Sequence, residues 1–142
     1  MGDIQGQMAK KTNLKLKADR IFSKFVRLSH ADSQGYCLCY TCGKRLHWKS
    51  IHAGHYINRR VLATRYDLTN VNPQCPSCNT FNEGAKDLYA IKLEAEYGNG
   101  ILQELHRMSL KVYATLPEQR ELFNHIIEYY KDKVKEMENG IL

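Results

Sequence analysis

The chain has 142 residues, of which 43% are hydrophobic and 25% are charged, and its formal net charge at pH 7 is +6. This length fits one domain with a modest core, and the sequence has neither an apolar run long enough for a transmembrane helix nor a secretory signal pattern. The composition therefore argues against a membrane or secreted protein, and we expect a protein of the cell interior.

The positive charge lies in the first half of the chain. Residues 1–79 contain 13 Lys and Arg against 4 Asp and Glu, whereas residues 80–142 contain 8 against 11. A basic surface attracts polyanions because it neutralises phosphates and releases their counterions. Nucleic acid is therefore the expected partner of the first half, although a basic face that is merely solvated accounts for the charge equally well.

The N-terminal region divides into a tail and a helix. Residues 1–13 are polar and show no periodicity, so a flexible basic tail is expected there. From Leu14 onward apolar residues recur every three or four positions, which predicts an amphipathic helix that ends near residues 32–35. Residues 14–97 form the predicted main unit, and residues 98–142 form a helical extension that packs against it or dimerises.

Two Cys-x-x-Cys pairs follow this helix. They are Cys39 with Cys42 and Cys75 with Cys78. Four thiolates at this spacing can form a tetrahedral structural zinc site, and in a reducing compartment zinc is favoured over disulfides. The fifth cysteine, Cys37, is expected to be a small buried side chain and not a zinc ligand.

The region around the first cysteine pair is predicted to be β-structure. A strand, a tight turn and a returning strand are expected over residues 36–48, and Gly43 suits the positive φ of such a turn. A short strand is expected over residues 53–57. The following stretch, residues 58–72, is polar and rich in arginine, so it is predicted to be a long functional loop.

The C-terminal half is predicted to be helical. Pro73 is expected to stop regular structure, and Pro76 suits the first turn of a helix that carries the second cysteine pair and runs toward Tyr97. Two further helices are predicted after Gly98, and the last of them has an apolar stripe that includes the stretch Ile126–Met137. We expect this stripe to pack or to pair with a second copy.

Together these elements describe an α+β fold with a zinc-stapled treble-clef, or ββα-metal, core and flanking helices. On this scaffold His55 and Asn79 can meet, because zinc holds their hairpin and helix together. His55 is the candidate general base, and Asn79 offers an oxygen ligand to a Mg²⁺ or Mn²⁺ ion. Arg59, Arg60 and Arg65 flank this site and are candidate ligands for DNA phosphates.

Several ordered motifs carry a resemblance to a known family. They read Cys39-Tyr-Thr-Cys42-Gly43-Lys44, Ala53-Gly54-His55-Tyr56, Thr64-Arg65-Tyr66-Asp67, Asn70-Val71-Asn72-Pro73-Gln74-Cys75 and Cys78-Asn79. At these residues the chain resembles the HNH, or His-Me finger, endonucleases and, more closely, the NinG (Rap) recombination proteins of lambdoid phages. The resemblance implies a phage-encoded DNA endonuclease that acts in the bacterial cytoplasm on branched DNA such as Holliday junctions and D-loops.

The resemblance also implies residue roles. His55 matches the general base, Asn70 matches the residue that orients the base, and Asn79 matches the metal-binding residue at the start of a helix. Gly54 departs from the pattern, because many HNH nucleases have a metal-binding Asp immediately before the catalytic His. The second cation ligand is therefore open, and its candidates are His52, Asp67 and Asn82.

Two other functions fit the same sequence. A zinc module that binds nucleic acid without cutting it would have the same cysteines and the same basic surroundings. The acidic C-terminal half could instead recruit another recombination protein, a role that is compatible with nuclease activity. Because a DNA junction has two-fold symmetry, a homodimer is expected to supply two active sites.

Overall fold

The computed structural model describes residues 4–140, and for residues 4–12 it describes the backbone alone. The elements in chain order are helix α1 (Ile4–Ser29), strands β1 (Tyr36–Leu38), β2 (Arg45–His47) and β3 (His52–His55), helix α2 (Leu62–Arg65), strand β4 (Val71–Gln74), a π-helical turn (Ser77–Phe81), and helices α3 (Lys86–Tyr97), α4 (Ile101–Ser109) and α5 (Leu116–Gly140). This mixture of helices and small antiparallel sheets confirms the α+β class. None of the described helices has the length and apolar character needed to cross a membrane.

The four strands form two antiparallel hairpins. Strand β1 pairs with β2, with Cys37 opposite Leu46, and β3 pairs with β4, with Gly54 opposite Asn72. Gly43 has a φ of +80°, which the turn after the first cysteine pair requires. The predicted strand, turn and returning strand are thereby confirmed.

Pro73 lies inside strand β4, so the expectation that it ends regular structure is wrong. It sits opposite Ala53 in the register. Its carbonyl oxygen accepts a hydrogen bond from the N–H of Tyr40 and therefore points away from β3. In an antiparallel strand the missing N–H of proline would point the same way, so no bond of the hairpin is lost.

The predicted single helix after Pro76 is also wrong. The N–H of Asn82 donates to the carbonyl of Ser77 at 2.9 Å, which is the i to i+5 bond of a π-helix. Three residues in the left-handed region then separate this π-turn from α3. They are Glu83 (φ 52°), Gly84 (φ 86°) and Ala85 (φ 50°).

Helices α1 and α5 pack side by side and form one of the hydrophobic clusters of the core. The buried residues of this cluster are Ala18, Phe22 and Val26 from α1, Phe123, Ile126, Ile127 and Tyr130 from α5, and Val71 from β4. The predicted stripe of α5 is therefore occupied, since Ile126 and Val134 are only 7% and 6% exposed. It is not free to pair with a second copy, so the proposed homodimer has no surface there.

Helix α1 begins ten residues before the predicted start at Leu14. Residues 4–13, for which we expected no regular structure, are helical. Gln5, Gln7, Met8, Ala9 and Lys10 are residue types with good helix propensity, and this offsets the cost of Gly6. Residues 1–3, the remainder of the predicted tail, lie outside the described part of the chain, and the flexibility of the tail stays a prediction.

Candidate zinc and active sites

Four cysteine sulfur atoms converge between the first hairpin and the π-turn. The sulfur atoms of Cys39, Cys42, Cys75 and Cys78 all lie within 4.8 Å of one another, and those of Cys42 and Cys75 are 3.7 Å apart. Tetrahedral zinc with Zn–S bonds of about 2.3 Å places its sulfur ligands about 3.8 Å apart. The four cysteines are therefore positioned to hold a zinc ion, as the sequence predicted.

Hydrogen bonds favour the ionised form of one sulfur of this cluster, that of Cys39. The backbone N–H of Cys42 donates to Cys39 Sγ at 3.5 Å, and the Thr41 hydroxyl lies 3.4 Å from the same sulfur. Burial of Cys39 disfavours the thiolate, but these hydrogen bonds outweigh burial and lower its pKa to about 6. The thiolate is the form that binds zinc.

Cys37 takes no part in the cluster. Its side chain is 3% exposed and packs in the core beside Leu28 and Trp48. Burial raises the pKa of its thiol, which keeps it protonated. The prediction of a small buried side chain is confirmed.

A cavity of about 390 Å³ opens between strand β3, the π-turn and the start of α3. It is lined by two of the three residues predicted to be catalytic, His55 and Asn79, by Arg59, and by Glu83 and Lys86. His55 and Asn79 are 24 positions apart in the sequence. The pairing of β3 with β4 and the four-cysteine cluster bring them to the same cavity.

His55 is held in the form that a general base requires. Its Nε2 lies 2.9 Å from the carbonyl oxygen of Arg65, and because a carbonyl only accepts, Nε2 carries the hydrogen and Nδ1 has the free lone pair. Burial, aided by the positive charges of Arg65 and Arg59, lowers the pKa of the imidazole to about 4. His55 is therefore neutral at pH 7.

Asn79 is oriented by a histidine. Its Nδ2 lies 3.0 Å from Nδ1 of His52 and donates to it, so its Oδ1 remains for another partner. His52 was a candidate for the second cation ligand. The structure instead gives it the task of fixing the amide of Asn79, and it does not line the cavity.

The other two predicted ligands also lie outside the cavity. Asp67 accepts hydrogen bonds from the N–H groups of Thr69 (2.9 Å) and Asn70 (3.2 Å) and so closes a turn. Asn82 ends the π-turn and is exposed. Glu83, which the sequence reasoning missed, lines the cavity in their place. Helical spacing from Asn79 points to Asn82, but the π-turn ends at Phe81 and Glu83 has a positive φ of 52°, so the helical pattern does not continue.

A comparison with known protein families was made on the whole chain. Residues 5–140 match the model of the family described as Bacteriophage Lambda NinG protein. The chain belongs to the NinG family. The matched range includes both cysteine pairs and every residue of the cavity, and it confirms the closer of the two resemblances drawn from the motifs. No match was found among the curated proteins or among the solved structures.

In this NinG-family chain, Asn70 lies beneath the cavity and stabilises its wall through hydrogen bonds. It is fully buried, and its Oδ1 accepts the N–H of Ile57 at 2.7 Å while its Nδ2 donates to the carbonyls of Ile57 and Thr64 at 3.1 Å. These bonds fix the chain just after His55. Asn70 does not line the cavity itself.

The three predicted arginines of the NinG chain have different surroundings. Arg59 lines the cavity, whereas Arg60 is exposed and lies outside it. Arg65 is 5% exposed and forms a bidentate pair with Asp19 of α1 at 2.8 and 2.5 Å. Its guanidinium is thus occupied within the protein, and the prediction that Arg65 contacts DNA is replaced by a structural role.

Lys86 is a second residue of the NinG cavity that sequence reasoning missed. Its Nζ donates to the carbonyl oxygens of His55 and Tyr56, the latter at 2.6 Å. Burial lowers the pKa of its ammonium group. No sequence signal could have found it, because it lies 31 positions after His55 and belongs to no motif.

Proposed function

We propose that this NinG-family protein is a metal-dependent endonuclease of phage recombination that hydrolyses phosphodiester bonds in branched DNA. Holliday junctions and D-loops are the proposed substrates, and the bacterial cytoplasm is the proposed compartment. The zinc-stapled core is proposed to be of the HNH type. The observation that carries the proposal is the convergence of His55, Asn79, Glu83, Arg59 and Lys86 on one cavity.

The donor atoms in the cavity fit a hard divalent cation. Asn79 offers a free Oδ1, and Glu83 offers a carboxylate. Oxygen ligands of this kind suit Mg²⁺ and Mn²⁺, which bind through one or two carboxylates or carbonyls and keep several waters. When bound, the cation would stabilise negative charge on the phosphate and on the leaving 3′-oxygen.

The side chains supply the remaining chemistry. His55 takes a proton from a water molecule at Nδ1, and the water oxygen attacks the phosphorus in line with the 3′-oxygen. The bond between phosphorus and the 3′-oxygen breaks, and the 3′-oxygen takes a proton from a solvent water molecule, which leaves a 5′-phosphate and a 3′-hydroxyl. The hydrogen bond from Nε2 to the Arg65 carbonyl holds the ring and stabilises the imidazolium that forms.

Two positively charged side chains at the cavity are proposed to bind the phosphate. Arg59 presents an exposed guanidinium, and Lys86 holds an ammonium group at the cavity wall through its bonds to two carbonyls. Charged groups held in advance of the reaction are effective at stabilising developing charge, because they need no reorganisation. Arg59 and Lys86 are therefore proposed to bind the scissile phosphate.

The experiment compares cleavage of a labelled four-way junction with cleavage of its matching linear duplex. Wild type, His55→Ala and His106→Ala are tested with Mg²⁺, with Mn²⁺ and with EDTA, after zinc content is shown to be equal. His106 is an exposed histidine on α4 and serves as the matched control. We expect junction cutting that needs the divalent cation, is unchanged in His106→Ala and falls about 10²- to 10⁴-fold in His55→Ala.

Two outcomes would decide against this proposal. Cleavage by His55→Ala at the wild-type rate would show that His55 is not the general base. Tight junction binding without cutting under any metal would leave a zinc module that binds nucleic acid, the non-catalytic alternative.

A further inference from the structure

A second basic surface lies outside the candidate active site, in the groove between α1 and α5. The groove encloses about 460 Å³. Helix α1 contributes Arg20, Lys24 and Arg27 to its wall, and α5 contributes Lys131 and Lys135. The three α1 residues are spaced i, i+4 and i+7 and so share one face of the helix over about 10 Å.

The carboxylates of this groove are already engaged. Asp19 is paired with Arg65 at 2.5 Å, and Glu138 is paired with Lys24 at 2.9 Å. The pair of Glu138 with Lys24 is exposed, so it is weak and can yield to another anion. The groove therefore keeps an excess of positive charge.

Lys24 and Lys131 form ion pairs and Arg27 donates to the carbonyl of Trp48. The other two cations have neither an ion pair nor a hydrogen bond within residues 13–140, whose side chains are described. They are Arg20 on α1 and Lys135 on α5, which belong to opposite walls of the groove. Like charges that face each other across a groove repel, and an anion placed between them removes that repulsion. A phosphate group has the charge and the hydrogen-bond acceptors for this position.

The groove adjoins the candidate active site. Asp19 lines the groove and also lines a smaller cavity of about 120 Å³ that contains His55 and Arg59. The groove and the candidate active site are therefore neighbours along α1. Asp19, the carboxylate that lines both cavities, is neutralised by Arg65.

We propose that the groove between α1 and α5 binds the phosphate backbone of one arm of the DNA substrate. The identity of the ligand rests on the proposed function, whereas the site is separate from the catalytic residues. Phosphate contacts of this kind position a nucleic acid and carry no sequence information. They suit a protein whose substrate is defined by its branched shape.

The test is equilibrium binding of a fluorescent four-way junction without added divalent cation, measured by anisotropy between 50 and 300 mM salt. The variant is Arg20→Gln with Lys135→Gln. The control is Lys17→Gln with Lys133→Gln, which removes the same charge from the same two helices at exposed positions outside the groove. Unfolding curves and zinc content establish that each protein is folded.

We expect the groove variant to bind roughly tenfold or more weakly at 100 mM salt, and its plot of log affinity against log salt to lose about two units of slope. The control is expected to stay close to wild type. Each single substitution is expected to lose about one unit, which covers the case in which the double variant is unstable.

Equal effects of the two double variants would show a general charge effect and would overturn the proposal, as would unchanged binding by the groove variant. Because the assay needs no cleavage, its result is separable from that of the catalytic proposal. If the wild type cuts the junction and the groove variant binds it normally, the groove proposal is wrong and the catalytic proposal stands. If the wild type binds no DNA, both the groove proposal and the catalytic proposal are wrong.

Discussion

The imidazole of His55 sets the pH range in which the proposed cleavage can run. Burial first, and then the charges of Arg65 and Arg59, lower its pKa to about 4, so the ring stays unprotonated well below neutral pH. We expect the single-turnover rate of a pre-bound junction to remain nearly constant from pH 7.5 down to about pH 5. A histidine with the ordinary pKa of about 6.5 would have lost most of its activity by then. A midpoint near pH 6.5 would contradict the buried setting of the base.

The packing around Gly54 explains why this chain lacks the Asp that precedes the catalytic His in many HNH nucleases. A Cβ atom on Gly54 would lie 1.9 Å from Oε1 of Gln74. Gln74 is fully buried, and its Nε2 donates to Thr41 Oγ1 and to the carbonyl of Gly84. The amide of Gln74 thus fills the space that an aspartate side chain would need.

Gly54→Ala is therefore expected to destabilise the protein by about 1–3 kcal/mol and to lower cleavage, because the neighbouring His55 must move with the strand. Urea unfolding measures the loss. Gly100→Ala is the control, since a Cβ there meets nothing within 4 Å and its φ is −87°. If Gly54→Ala unfolds at the same urea concentration as wild type, the contact with Gln74 is not a constraint.

At the scale of elements, the left-handed segment after the π-turn decides which residues line the cavity. It places Glu83 there, and not Asn82. We expect Glu83→Gln to raise the Mg²⁺ concentration needed for half-maximal cleavage at least tenfold, because a carboxylate ligand loses its charge. Asn82→Ala is the matched control and should behave as wild type. A stronger effect of Asn82→Ala would restore the ligand first predicted from helical spacing.

The elements also show where sequence patterns succeed and where they do not. The knuckle around Cys39 and Cys42 and the stripe of α5 were predictable, because local turn chemistry and helical periodicity decide them. Pro73 was misleading, since its effect depends on the side of the strand that carries the hairpin bonds. The left-handed segment after the π-turn was not predicted, because tertiary contacts such as the bond from Gln74 to the carbonyl of Gly84 hold it.

For the candidate site, the motifs brought out His55 and Asn79 but not their neighbours. Lys86 and Glu83 lie in no motif, and their place in the cavity depends on the left-handed backbone between the π-turn and α3. Arg65 was predicted to contact DNA because a positively charged side chain in a loop is a candidate ligand for phosphate. Only the position of Asp19 on α1, 46 residues earlier, shows that this arginine is paired inside the protein.

At the scale of the whole molecule, the four-cysteine cluster connects distant parts of the chain, and a zinc ion bound there would hold them together. The cluster joins the first hairpin to the turn that bears Asn79, so we expect its removal to unfold the site as well as the knuckle. Structural zinc in small domains contributes about 10–16 kcal/mol of binding free energy, more than a small domain can lose. Cys75→Ser is expected to bind less than one equivalent of zinc and to lose its near-ultraviolet circular dichroism.

Cys37→Ser provides the control for this prediction, because Cys37 is buried outside the cluster. It is expected to keep one zinc per chain and its folded spectrum. Atomic emission gives the zinc content. Full zinc and a native spectrum in Cys75→Ser would show that three sulfurs suffice and that the fold does not depend on the fourth.

The left-handed segment between the π-turn and α3 also has a cost in backbone strain. Glu83 and Ala85 have φ values of 52° and 50°, a region in which an L residue other than glycine loses about 1–2 kcal/mol. The surrounding fold, including the bond from Gln74 to the carbonyl of Gly84, holds the segment in this conformation. The carboxylate of the cavity is therefore presented by one of the least relaxed positions of the described backbone.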